Sequence, residues 1–142
     1  MTGIDIKRIV GLDTKYGQTL QCAICLSLLD NPLVTKCGHN YCHQCLQFCI
    51  ESGAKQCPKC RDVFTTKRST KSLNHNNSVL IRHNRQNYVF TKNIVLNEMI
   101  SKLQIKCDYH LKGCEEVIEG KINPNPNDCV ASLARRFRAI GP

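Results

Sequence analysis

Apolar residues along this chain fall in short clusters, and no run of 18 of them occurs, so no membrane-spanning helix is expected. Ile4, Ile6, Ile9, Val10 and Leu12 precede a turn-like stretch from Thr14 to Gly17. They predict an N-terminal segment, residues 1–15, that packs beside the unit following it. Residues 65–92 are rich in Asn, Ser, Thr and Lys; the stretch 67–92 reads as a basic polar linker. Within it, Val79-Leu80-Ile81 and Tyr88-Val89-Phe90 are β-prone triplets expected to pair. Leu96, Met99, Ile100 and Leu103 then fall at i, i+3, i+4 and i+7. They predict a helix over 93–106, with Asn93 as its N-cap and its stripe packed on a neighbouring unit. Val130, Leu133, Ala134 and Phe137 repeat that spacing near the end, with Arg135, Arg136 and Arg138 between them, and predict a short amphipathic helix.

Composition changes the picture of what holds these pieces together. A chain of 142 residues is one ordinary domain or two very small ones. With eight aromatics and no Trp, a single large core is not expected, and small units need staples. Eleven cysteines are the candidates. The first residues lack the long apolar run of a secretory signal. The expected compartment is therefore reducing, cytoplasmic or nuclear, where paired cysteines read as metal ligands rather than disulfides.

Charge is unevenly placed. Of the net +9, residues 61–92 carry +6: Arg61, Lys67, Arg68, Lys71, Arg82, Arg85 and Lys92 against Asp62 alone. The cysteine-dense window 22–60 carries only +1. A footprint for nucleic acid or an acidic surface, if present, lies in the linker.

The cysteine window spells Cys22-x2-Cys25-x11-Cys37-x-His39-x2-Cys42-x2-Cys45-x11-Cys57-x2-Cys60, four pairs of possible ligands in 39 residues. Zinc takes four nitrogen or sulfur ligands in a tetrahedron, and a two-residue gap lets both thiolates of one tight turn reach one metal. Two pairs make one site, so four pairs make two. A set of buried thiols, or a redox Cys-x-x-Cys, explains one pair but not four in succession. Closed four-ligand sites leave no open position for a substrate, which excludes a catalytic metal. No Ser-His-Asp set or phosphate-cradling glycine loop accompanies them. Seven thiolates with two dications lower the window's charge by 3, to about −2. Such a surface suits protein rather than nucleic acid.

The order Cys-Cys, Cys-His, Cys-Cys, Cys-Cys resembles the RING finger family over residues 16–66. The resemblance implies a cross-brace, with Cys22, Cys25, Cys42 and Cys45 on one zinc and Cys37, His39, Cys57 and Cys60 on the other. It also implies docking of a ubiquitin-conjugating enzyme charged with ubiquitin, and transfer of that ubiquitin to a protein substrate. Three positions carry the family's docking shelf: Ile24 before the second cysteine, Pro58 after the seventh ligand, and Cys49 four places after Cys45. Many ligases have Trp or Leu at the place of Cys49, so the shelf here is smaller. The resemblance assigns Arg61, directly after the last ligand, as the linchpin that bridges conjugating enzyme and ubiquitin.

Further along, SKLQIKCDYHLKGCEEV following such a module resembles the TRAF-type zinc finger. The layout is similar to RING–TRAF-finger ligases, the family of the neuregulin-receptor degradation protein, as is the opening GIDIKRI. The family pattern continues with a His and a Cys. This chain has Cys129 near the second place and Asn125-Pro126 where the His belongs, with His110 as a possible substitute. Residues 107–142 thus read as a partial finger and tail, and a third zinc at Cys107 and Cys114 is doubtful. The expected fold class is a small zinc-stabilised α+β protein: cross-brace RING finger, helix, partial TRAF-type finger.

The expected function is that of a RING-type ubiquitin ligase, as a short protein or as part of a longer one. One rival is a non-catalytic zinc interaction module, such as the silent half of a RING heterodimer, and a homo- or heterodimer is compatible with either. The other rival, a nucleic-acid-binding zinc protein, is disfavoured. Only Phe64, Tyr88 and Phe90 could supply stacking near the basic run.

Overall fold

The fold was analysed in a computed structural model, which describes residues 4–68, 76–107 and 109–119. The tail with Asn125, Pro126, Cys129 and the amphipathic pattern 130–138 lies outside the described residues, as do Lys71 and the stretch around it.

The order of elements follows the apolar clusters. A 3-10 turn, Ile6–Arg8, leads into the short helix α1, Thr14–Gly17. Asp13 starts α1 by accepting a hydrogen bond from the Lys15 amide, an ordinary N-cap. The cysteine window supplies strands β1, Pro32–Val34, and β2, Asn40–Cys42, and helix α2, His43–Glu51. Cys45, Leu46 and Ile50 form the buried stripe of α2. The remainder is β3, Thr66–Lys67; β4, Ser78–His83; β5, Gln86–Lys92; α3, Ile94–Ser101; β6, Gln104–Lys106; a second 3-10 turn, His110–Lys112; and β7, Val117–Glu119.

Strand β5 organises the larger sheet. Along one edge it pairs antiparallel with β4 over its length; along the other it meets β3 and then β1. The two β-prone triplets pair as the sequence suggests, with Val79 opposite Phe90, Leu80 opposite Val89 and Ile81 opposite Tyr88. Much of the polar stretch is therefore hairpin, sharing a sheet with β1 and β2 of the cysteine window. Its apolar alternation is what composition masked. Ile81, Tyr88 and Phe90 turn inward, and Phe64 meets both aromatic rings edge-on, 6.5 Å from Tyr88 and 5.3 Å from Phe90. All three aromatics that could have stacked on bases are buried.

Asn93 caps α3 through its side-chain oxygen, bonded to the Leu96 amide at 3.1 Å, while its nitrogen donates to Asn40 at 2.9 Å. The cap thus ties α3 to β2. The helix ends at Ser101 rather than continuing to 106. Ile105 is fully buried as a strand residue opposite Ile118, and that pairing outweighs the helical periodicity. Leu96 and Ile100 are buried as the stripe requires, but Met99 is exposed.

The N-terminal segment does pack. Ile4 accepts from the Leu28 amide at 2.7 Å, Ile9 bridges Ile105, and Val10 donates to Gln104 at 2.9 Å. Arg8 adds two bonds to the Lys106 carbonyl. The segment clamps β6 to the cysteine window, with Ile9 in the shared core and Val10 turned to solvent.

The β4–β5 turn contains a local conflict. Asn84 and Arg85 both have positive φ, +48° and +63°, as a two-residue hairpin of the primed type demands. Asn tolerates that conformation; Arg carries a Cβ that crowds the carbonyl. Replacing exposed Arg85 by Gly should stabilise the zinc-loaded protein by about 1 kcal/mol, read as a raised Tm. A lowered Tm would show that the Arg85 side chain contributes more than its backbone costs.

Candidate metal centre

Two Cys-x2-Cys turns are built alike. Cys22–Cys25 leaves through Leu26 at φ +58°, and Cys57–Cys60 leaves through Arg61 at φ +63°. In each, the amide of that left-handed residue bonds the first cysteine's carbonyl at 2.8 Å. A short antiparallel bridge closes each turn, Gln21 with Leu28 and Gln56 with Val63. The texts QCAICLSL and QCPKCRDV share this design; the Gln-Cys start and matched length are the signal from which the repeat could have been read.

The fold brings the eight ligands together in the cross-brace. The donor atoms of Cys22, Cys25, Cys42 and Cys45 lie within 4.8 Å of one another, as do those of Cys37, His39, Cys57 and Cys60. A zinc–sulfur bond near 2.3 Å requires tetrahedral sulfurs about 3.8 Å apart. Cys25 and Cys42 sulfurs are 3.9 Å apart. Mixed sulfur–nitrogen edges should be about 3.5 Å, and His39 Nδ1 stands 3.4 Å from both the Cys37 and Cys57 sulfurs. The donor set and spacing fit two zinc ions, and Nδ1 is the imidazole ligand.

Outer groups hold these ligands. Tyr41, fully buried on β2, places its hydroxyl 3.0 Å from the Cys57 sulfur. Burial, and then the Cys57 contact, pushes the phenol pKa up, so Tyr41 stays protonated and donates. Thr35 Oγ1 lies 2.9 Å from the Cys37 sulfur and accepts from the His39 amide at 3.1 Å. The Asp30 amide donates to the Cys42 sulfur at 3.2 Å. Sequence spacing gave no sign of Tyr41 or Thr35, because such partners follow from the fold rather than from ligand periodicity.

The thiols compete for ionisation. A hydrogen bond from Cys42, opposed by burial and helped by the amides of the turn, holds Cys22 down at about 4. That same bond, then burial, pushes Cys42 up. Burial opposes ionisation of Cys57 too, but Tyr41 and the Cys60 and Lys59 amides outweigh it and lower the thiol to about 6. One sulfur of each cluster, Cys22 in the first and Cys57 in the second, is thus held below the ordinary thiol range. Cys49 is different. It lies outside both donor sets, and burial followed by the Cys22 charge raises its pKa. It is a half-buried, unreactive thiol.

The remaining sequence candidates are placed as follows. Ile24 is half-buried against the core, while Pro58 and Arg61 are exposed on the second turn. Cys107 and Cys114 are buried in a small cluster with Tyr109. They gather no further ligand among the described residues: His110 Nδ1 lies 3.0 Å from the Cys107 carbonyl. No helix among the described residues is long and apolar enough to cross a membrane.

Comparison with known proteins agrees with this geometry. Residues 22–60 match the zinc finger, C3HC4 type (RING finger) family. The chain is 40% identical over 55 residues to the E3 ubiquitin-protein ligase TRIM11 of Bos taurus, covering 37% of this chain and 12% of that protein. It is 34% identical over 109 residues to the E3 ubiquitin-protein ligase PDZRN3 of Homo sapiens, covering 75% of this chain and 8% of that protein. An uncharacterized RING finger protein of Schizosaccharomyces pombe, C548.05c, is 38% identical over 65 residues, 46% of this chain and 14% of its own length. The chain therefore spans a small part of each relative. The similarity to PDZRN3 runs over a stretch longer than the 39-residue finger. Residues 22–60 form a cross-brace RING finger for two zinc ions, homologous to those of ubiquitin ligases.

Native mass spectrometry should find two zinc ions on the finger of residues 22–60. Cys37→Ala should lose one or both, whereas Cys49→Ala should keep both; equal loss in the two variants would refute the ligand set. Tyr41→Phe should leave the fold intact but weaken zinc at the Cys37 site about 10–100-fold, read by chelator competition. An unchanged affinity would make the Tyr41 contact incidental.

Proposed function

We propose that this chain acts as a RING-type ubiquitin ligase, docking a ubiquitin-charged conjugating enzyme and promoting transfer of ubiquitin to a lysine of a protein substrate. The observation that carries the reading is the second metal turn. It ends at Arg61 with its backbone in the left-handed region and its guanidinium in solvent. A non-glycine residue at such a φ costs about 1–2 kcal/mol, and Pro58 on the same turn is exposed beside it in sequence. Leu26 leaves the first turn through the same backbone, so what singles out Arg61 is its exposed guanidinium on the turn that carries the exposed Pro58.

In this reading Ile24 and Pro58 form the apolar shelf. Each lies between two ligands of one turn, so zinc fixes its position. Cys49 contributes less, being small and half-buried. The metals perform no chemistry, because all four positions of each are taken. Arg61, with five donors in a planar fork, bonds carbonyls of two partners at once and restrains the thioester-linked ubiquitin. The substrate amine then attacks the thioester carbonyl, forming an amide and releasing the conjugating enzyme's thiolate. The gain from the ligase is positioning, which lowers the entropic part of the barrier. A nucleic-acid role has little support, since Phe64, Tyr88 and Phe90 are all core residues.

Two variants separate docking from restraint. Ile24→Ala should keep both zincs yet weaken conjugating-enzyme binding about 30-fold, an anchor of roughly 2 kcal/mol. Normal ubiquitin-chain formation by that folded variant would count against the shelf. For Arg61, glycine is the informative replacement, because it keeps the left-handed backbone while removing the side chain. Arg61→Gly should bind uncharged conjugating enzyme nearly as well as the parent, but discharge the ubiquitin thioester to lysine at least tenfold more slowly, the loss of one charge-assisted bond. Arg61→Lys should recover part of the rate. Discharge at the parental rate would make Arg61 a bystander and favour a non-catalytic interaction module.

A further inference from the structure

Beside the second zinc site lies a polar cavity of about 340 Å³, with His39 in its wall and Lys15 and Lys59 at its sides. No carboxylate lines it among the described residues. Across Gln18 and Gln21, which line both, is a second cavity of about 340 Å³ with an apolar floor of Ile6, Ile9 and Leu12 and with Asp5 and Lys7 also in its lining. Gly17 belongs to that floor, where a Cβ would stand in ordinary contact, 3.4 Å from the Leu12 side chain and 3.5 Å from Ile6.

His39 makes the polar chamber specific. Its Nδ1 faces the Cys37 and Cys57 sulfurs at 3.4 Å, which leaves Nε2–H as the free end of the ring. A metal-bound imidazole almost always donates its other N–H to a carboxylate, a carbonyl or water. Among the described residues no group accepts from Nε2. With its Nε2 end open to solvent and with Lys15 and Lys59 lining the same chamber, His39 stands in a wall that offers donors and positive charge to a carboxylate.

We propose that this two-chambered cleft captures an acidic segment of a protein substrate, with an Asp or Glu carboxylate against His39, Lys15 and Lys59 and a neighbouring apolar side chain over Ile6, Ile9 and Leu12. A nucleic-acid backbone offers the charge but not the apolar partner. The site depends on the zinc-bound state of His39, not on ubiquitin transfer.

Selection of a random-peptide phage library on the zinc-loaded full chain tests this with no ubiquitin or conjugating enzyme present, so failure here leaves the ligase reading standing. Enriched peptides, resynthesised with amidated C-termini, should share an acidic residue near an apolar one. Their affinity should fall with salt. Changing the peptide's acid to its amide, or its apolar residue to Ser, should each weaken binding to the unaltered protein. The Lys15→Glu/Lys59→Glu double variant, with zinc content verified, should weaken it about tenfold or more, while Lys92→Glu should not. Amide shifts on titration should centre on Gly17 and Gly38. No enrichment, peptides without acids, binding that needs a free C-terminus or a phosphate, unchanged affinity in the double variant, or shifts elsewhere would each overturn the proposal.

Discussion

Seven thiols and one imidazole crowded into two clusters, each with its donor atoms within 4.8 Å, can all act as bases only around a cation. That requirement governs the rest of the molecule. The turns bearing Ile24 and Pro58 are each closed by one amide–carbonyl bond and a single bridge, and zinc adds the cross-links that tie them to the rest of the module. In model peptides a structural zinc contributes on the order of 10–16 kcal/mol, more than a core of this size supplies alone. Tyr41 places its buried hydroxyl on the Cys57 sulfur, and Thr35 shares its own between the Cys37 sulfur and the His39 backbone, so the metal sites and the core form one packed unit.

The eight ligands were legible in the sequence because metal spacing is local and chemically narrow, whereas which pairs share a metal was implied only by the resemblance to the RING finger family. The eight ligands, the hairpin triplets and the Asn93 cap all stand where their patterns put them. What was not legible depends on long-range contact. Ile105 belongs to a helical repeat on paper, but Ile9 and Ile118 draw it into a strand. Met99 fits the apolar stripe by count, yet it is solvent-exposed. The stretch counted as linker by its Asn, Ser and Lys content hides the residues, Ile81, Tyr88 and Phe90, that close the core with Phe64.

Left-handed residues mark where the chain bends against its own preference. Leu26 and Arg61 do so identically, as the exits of two matched metal turns. At Leu26 the side chain stays in solvent, and nothing in the structure explains its identity. At Arg61 the same backbone presents a guanidinium beside the proposed docking shelf. The two turns share a geometry set by zinc and differ in what they expose, which is how one structural solution can serve both folding and recognition.

X-ray absorption at the zinc edge reads the governing constraint directly. The account predicts a mean first shell of seven sulfurs and one nitrogen shared over two zincs, with zinc–sulfur distances near 2.3 Å. An all-sulfur shell, extra oxygen scatterers, or a single occupied site would contradict the cross-brace on which everything else rests.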